Sequence, residues 1–271
     1  MLAPFEVLYE ADLPHYRLPA DLEELYGGLG FPRQVLYSNF VSSLDGVATL
    51  GSTPSAGSVL SRKYPADRFL MGLLRACADA VILGAGTLRG TPGHLWTAGH
   101  VYPGLKASFA ALRESLGRAT EPQLVVLTAR GKLDFKHPAL VKGALVMTTP
   151  AGAKAVGSRL PAACELVVLG RGKRLDVSRA VGELHTRGLH VLLTEGGPHL
   201  VGQLIEKGLL DEMFLTVSPV LAGRGEAKRL GMVEGVELLP KSGAWSKLLS
   251  ARRHGDYLFM RYRTLARGAR A

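Results

Sequence analysis

"LLTEGGPHLVGQLIEKGLLDE", residues 192–212, runs from an apolar stretch through a carboxylate and two glycines into an amphipathic segment. Leu192 and Leu193, with Val191 before them, have the unbroken apolar character of a strand buried on both faces. Pro198 suits the first position of a helix, where its missing N–H removes no bond. Leu200, Val201, Leu204 and Ile205 recur at helical spacing, and Gly208 is placed to end the helix. A strand entering a helix through Gly196 and Gly197 is the unit from which a parallel sheet is built. Two details ask for more. Glu195, at the mouth of the strand, is as fit for a structural ion pair as for a ligand contact. Gly202 lies inside the helix, where glycine costs about 1 kcal/mol relative to alanine, so another element or a ligand comes close to that turn.

The same alternation extends in both directions. Apolar runs at 34–41, 78–84, 123–128, 143–149, 165–170, 189–197 and 211–223 read as strands. Helical patterns cover Pro65–Ala78, 105–117, 151–157, Val177–Arg187 and His199–Lys207. Residues 43–60 and 90–104 read as loops. At the C-terminus, two alternating runs within 246–263 flank a His-Gly-Asp turn, the signature of a hairpin. These features predict an α/β fold with a mostly parallel central sheet, helices on both faces and an antiparallel C-terminal edge. Residues 1–33 differ: they contain four prolines, a Tyr-Gly-Gly-Leu-Gly breaker and one helical candidate, Asp21–Tyr26. They read as an extension packed over a main domain spanning 34–271, which contains no internal repeat and no dividing linker.

Composition narrows the function. Of 271 residues, 47% are hydrophobic and 21% charged, ordinary for a globular chain, and the net charge of +10 favours anionic partners such as nucleotides, phosphorylated metabolites or nucleic acid. The basic residues are scattered, and only the tail from Arg261 is dense. No nucleic-acid motif accompanies them, so no nucleic-acid partner is expected. Cys77 and Cys164 lack any ligand or disulfide spacing, and the histidines show no metal pattern. No apolar run reaches membrane-spanning length and no signal pattern opens the chain, which gives the expectation of a cytoplasmic protein without a membrane partner.

Three further strand ends hold residues suited to chemistry. In "VILGAGTLRG", Val81–Gly90, the run Gly84, Ala85, Gly86, Thr87 can expose backbone N–H groups to phosphate or form a plain turn. In "NFVSSLDGVAT", Asn39–Thr49, Ser42 precedes Asp45 and Gly46, which also make an ordinary Asp-Gly turn. In "VVLTARGK", 125–132, Thr128, Ala129 and Arg130 suit a phosphate monoester such as the 2′-phosphate of NADPH, or place an arginine in an exposed turn. Position links all of them to Glu195, because the carboxyl ends of parallel strands face the ligand crevice.

Four segments, "SSLDG" (42–46), "SRKYPADRFLMGLLRACADAVILGAGT" (61–87), "LLTEGGPHLVGQLIEKGLLDEMFLTVSPVLAG" (192–223) and "GDYLFMRYR" (255–263), resemble the reductase domain of riboflavin biosynthesis. That resemblance covers roughly 34–263 and implies a dihydrofolate reductase-like fold. It further implies a homodimer and NADPH-dependent reduction of a phosphoribosylamino-pyrimidine to its ribitylamino form. By the same resemblance, Ser42, Gly84, Ala85, Gly86, Thr87, Thr128, Ala129 and Arg130 serve the cofactor. So do Gly196, Gly197, Pro198, His199, Leu200, Val201, Gly202 and Gln203. Ser58, Ser61, Arg75 and Glu195 match substrate positions, and Asp45 and Glu195 are the carboxylates for orientation or proton delivery. The chain departs from the family after Thr87, where an acidic pair and a phosphate-binding arginine are absent. Arg62, Lys63 and Arg89 are the cations available to replace that arginine. A reductase of another heterocycle, or a nucleotide-binding protein without catalysis, stays open at this point.

Overall fold

A computed structural model describes residues 2–51, 55–240 and 243–265; the last six residues of the basic tail lie outside them. The N-terminal segment supplies β1 (Glu6–Glu10) and α1 (Ala20–Tyr26). There follow β2 (Val35–Ser42), α2 (Ala56–Leu60), α3 (Pro65–Cys77), β3 (Ala80–Gly84), α4 (Ala85–Gly90), α5 (Ala98–Val101) and α6 (Lys106–Ser115). The middle of the chain forms β4 (Gln123–Thr128), α7 (Pro138–Lys142), β5 (Leu145–Thr148), α8 (Pro150–Val156) and β6 (Glu165–Val168). The last part contains α9 (Val177–Thr186), β7 (Val191–Thr194), α10 (Pro198–Glu206), β8 (Glu212–Val217), β9 (Ser246–His254) and β10 (Tyr257–Thr264).

The strands form one sheet in the order β1-β9-β10-β8-β2-β7-β3-β4-β5-β6. From β8 to β6 neighbours run parallel, while β10 pairs antiparallel with β8 and β9, and β9 with β1. The mixed α/β architecture expected from the sequence is therefore present. Alternate residues of the central strands go to opposite layers, as the period of two requires. Val81, Leu83, Val126, Val146 and Leu193 join the layer of α3 and α6, and Ile82, Val125, Leu127, Met147 and Leu192 join that of α9 and α10.

Several boundaries shift from the sequence reading. The run expected as a strand to residue 223 ends at Val217, because Pro219 cannot continue a ladder and the chain turns there. The strand expected at 189–197 is confined to Val191–Thr194, since Glu195–Gly197 already form the turn into α10. The loop expected at 90–104 contains α5, packed on α3 and α6. Residues 1–33 reach deep into the fold: Phe5, Leu22, Tyr26, Leu29 and Phe31 are core, and β1 extends the sheet by pairing with β9. Buried Arg252 ties this segment down through Glu10 and the carbonyls of Tyr26 and Gly28.

Candidate active site

The carboxyl ends of β2, β7 and β3 open onto a cavity of about 560 Å³, roofed by α2, α3 and the segment 91–101. Its lining joins a glycine-rich wall of Gly84, Gly86, Thr87, Gly196, Gly197, Pro198, His199 and Leu200 with Ser58, Ser61, Arg75 and Glu195. These are residues singled out in the sequence, brought together from four separate segments.

The glycine wall is bare. A Cβ added at Gly84 or Gly86 would meet nothing within 4 Å, and at Gly197 only the Thr87 hydroxyl, at 3.5 Å. No side chain caps the N-terminus of α4 or of α10, so first-turn N–H groups remain available. Bare backbone at two helix starts fits the phosphates of a dinucleotide. Gly196 is different: its Cβ would strike Leu200 at 2.5 Å, so this glycine serves the tight turn.

The Glu195 question resolves into an ion pair. Arg75 Nε donates to Oε1 at 2.8 Å and Nη2 to Oε2 at 2.6 Å. Arg75 Nη1 donates to the carbonyls of Leu95 and Thr97, both at 3.3 Å, and Nη2 also meets His94 Nε2 at 2.9 Å. Guanidinium only donates, so Nε2 of His94 accepts and its other ring nitrogen holds the proton. Burial first, then the Arg75 charge, hold the His94 imidazole down at about 2, which keeps it neutral. All five N–H groups of Arg75 are thus committed within the protein.

The remaining sequence-selected residues lie away from the cavity lining. Asp45 accepts from the Ser43 hydroxyl at 2.5 Å and from the amides of Ala222 and Gly223 at 3.0 and 2.9 Å. Those bonds, the Ser43 hydroxyl foremost, hold its carboxyl down at about 2, and Asp45 fastens the 43–47 turn to the loop after β8. Ser42 is buried, its carbonyl receiving the Ser218 amide at 2.8 Å. Thr128 is buried at the end of β4, and Ala129 and Arg130 stand exposed beyond it. Ala85 and Val201 are packed inside, and Gln203 is exposed and bonds the His199 carbonyl. At Gly202 a Cβ would lie 2.3 Å from the Glu234 carbonyl oxygen, so it is a protein segment that crowds this turn.

Residues that sequence reading missed include Asp67, Arg68, Met71, His94 and Trp96, all on the cavity wall. The spacing Asp67-Met71-Arg75 places two of them, together with Arg75, along one face of α3, a signal present in the sequence. Of the cations proposed to replace the family's arginine, Lys63 lines the cavity, whereas Arg89 is exposed and bonds the Lys132 carbonyl.

The chain is similar to known proteins in sequence and in fold. The RibD C-terminal domain family matches residues 34–248. A 2,5-diamino-6-ribosylamino-4(3H)-pyrimidinone 5′-phosphate reductase of Archaeoglobus fulgidus is 26% identical over 196 residues, 70% of this chain and 83% of that protein. The crystal structure of a pyrimidine reductase-like protein from Corynebacterium diphtheriae has the same fold, with a TM-score of 0.68 and 21% identity over 90% of this chain and 98% of that one. The deaminase/5-amino-6-(5-phosphoribosylamino)uracil reductase of Thermotoga maritima also shares it, with a TM-score of 0.61 and 18% identity over 86% of this chain and 57% of that one. With that match over most of its length, and with the motifs gathered on one cavity, the chain belongs to the RibD C-terminal domain family.

Proposed function

We propose that this protein is an NADPH-dependent reductase of a phosphoribosylamino-pyrimidine, producing the ribitylamino form. The observation that supports it most is the meeting of bare backbone at Gly84, Gly86 and Gly197 with the Arg75–Glu195 pair on one cavity. NADPH, when bound, supplies a hydride to C1 of the ring-opened sugar's imine, and a proton taken from water onto its nitrogen completes the amine. The chain's own task is positioning, which counts for much of the barrier in such a transfer. The starts of α4 and α10 hold the dinucleotide. Ser58, Ser61 and Glu195 offer hydroxyl and carboxylate partners for the sugar, and Glu195 is fixed in place by Arg75. Lys63 and Arg68, the cavity cations outside the ion pair, meet the substrate phosphate in place of the family's arginine. Arg130 reaches the 2′-phosphate from beyond β4.

The working form we propose is a cytoplasmic homodimer. Val217 faces Leu258 and Leu215 faces Met260 across the β8–β10 ladder, and these side chains are half-buried or exposed, an apolar surface suited to a second copy. Among the described residues no helix is long and apolar enough to cross a membrane.

Fluorescence titration with NADPH and NADH, followed by NADPH oxidation with the 2,5-diamino-pyrimidinone substrate, tests the proposal. Tight NADPH binding with stoichiometric ribitylamino product is the expected result, and failure to bind NADPH overturns it.

A further inference from the structure

Among the described residues two acidic side chains line the cavity, with very different surroundings: Glu195 is answered by Arg75, and Asp67 has no such ion-pair partner. Asp67 lies two turns before Arg75 on the same face of α3 and is 5% exposed. Burial pushes its carboxyl up to about 6, and the hydroxyls of Thr216 and Ser61 act in the opposite direction. The charge of Arg68 is the weakest of the influences upon it. A carboxyl withdrawn from water, beside two hydroxyls and the like charge of Glu195, with Arg68 only weakly in its favour, is costly to ionise. On a cavity wall, the missing donors can come from a ligand.

The chemistry of the relatives' substrates says which donors. The Archaeoglobus enzyme is named for a 2-amino-4(3H)-pyrimidinone ring, which presents the 2-amino group and N3–H side by side. The Thermotoga enzyme is named for a uracil, which has a carbonyl oxygen at position 2. An ionised carboxylate accepts twice and donates nothing, so it fits the first edge and repels the second. We infer that Asp67 accepts hydrogen bonds from the 2-amino group and N3–H of the substrate ring, and so selects the 2-amino pyrimidinone over the 2-oxo ring. This assignment rests on the reductase reading above and names the ring that the reading leaves open.

Steady-state kinetics with both phosphoribosylamino-pyrimidines tests it. Wild-type protein is expected to favour the 2-amino ring at least tenfold in kcat/KM, and Asp67→Asn to lower that ratio at least tenfold, mainly through KM of the 2-amino substrate. Asn keeps the shape of the side chain and exchanges one acceptor for a donor. A second measurement needs no variant. Lowering the pH from 8 to 5 protonates Asp67, which then both donates and accepts, so the wild-type preference should shrink. Lys63, Arg68, Arg75, His94, Glu195 and, from the start of α10, His199 line the same cavity; Glu195 is paired with Arg75, and burial keeps the His94 imidazole neutral. Equal use of the two rings by the wild type, a ratio unchanged in the variant, or a ratio flat with pH overturns the assignment and leaves the reductase reading intact. Absence of turnover with either ring, despite bound NADPH, overturns both.

Discussion

Arg75 and Glu195 meet side-on between α3 and the end of β7, their bonds at 2.8 and 2.6 Å and their side chains 1% and 10% exposed. The pair joins the roof of the cavity to the turn that opens into α10. Removing one partner from a buried pair leaves an uncompensated charge, which costs roughly 3–5 kcal/mol. Arg75→Ala is therefore expected to lower unfolding free energy by about that amount in urea titration. It should also abolish reduction, because Glu195 loses its orientation. A loss below about 1 kcal/mol would mean that the pair adds little to the fold.

Asp67 leads to the opposite expectation for stability. Its carboxyl is raised from the ordinary aspartate range to about 6, so the folded state holds this proton more tightly than the unfolded chain does. The stabilising contribution is complete below the unfolded pKa, near 4, and is lost as pH rises through 6. A rise of that size corresponds to about 3 kcal/mol. Asp67→Asn removes this dependence, so the variant should be more stable than wild type by about 1–3 kcal/mol at pH 7 and the difference should vanish near pH 4. Urea unfolding of both proteins across that range checks it. A gain in stability at the expense of selectivity is the signature of a residue kept for a ligand.

Much of this was legible in the sequence, and the reason is periodicity. The central strands are continuous apolar runs and the helices between them are amphipathic, so the parallel core and its hairpin edge announce themselves. The glycine turns before α4 and α10 were readable for a similar reason, since bare backbone at a strand end has few uses. What depended on long-range partners was not readable. Glu195 gave no hint that its partner lies 120 residues earlier, and Asp45 none that its carboxylate would fasten the loop after β8. Asp67 was hidden in another way. On a helix an aspartate is ordinarily a solvated residue, and only the burial of this face of α3 makes it unusual.

The glycines offer a contrast that separates packing from binding. Gly202→Ala places a methyl group 2.3 Å from the Glu234 carbonyl oxygen, a backbone atom that cannot rotate away. Gly86→Ala enters open space and alanine is the better helix former. Gly202→Ala is expected to destabilise by about 1–3 kcal/mol through overpacking. Gly86→Ala should leave thermal stability level or slightly higher, while weakening NADPH at least tenfold because the methyl group occupies the phosphate approach. Thermal melts and NADPH titrations of the two variants, read side by side, check the distinction.

Arg130 provides the last test, since it stands exposed beyond β4 and outside the cavity lining. If it meets the 2′-phosphate, its contribution is a charge-assisted bond to a group that NADPH has and NADH lacks. Such a bond contributes about 1.5–3 kcal/mol, roughly 10- to 100-fold in affinity. Arg130→Ala should therefore weaken NADPH by that factor and change NADH less than twofold. Because the arginine is solvent-exposed, the wild-type preference for NADPH should also narrow as salt is raised, and the variant should lose that salt dependence. Equal losses for both cofactors would place the 2′-phosphate elsewhere on the rim.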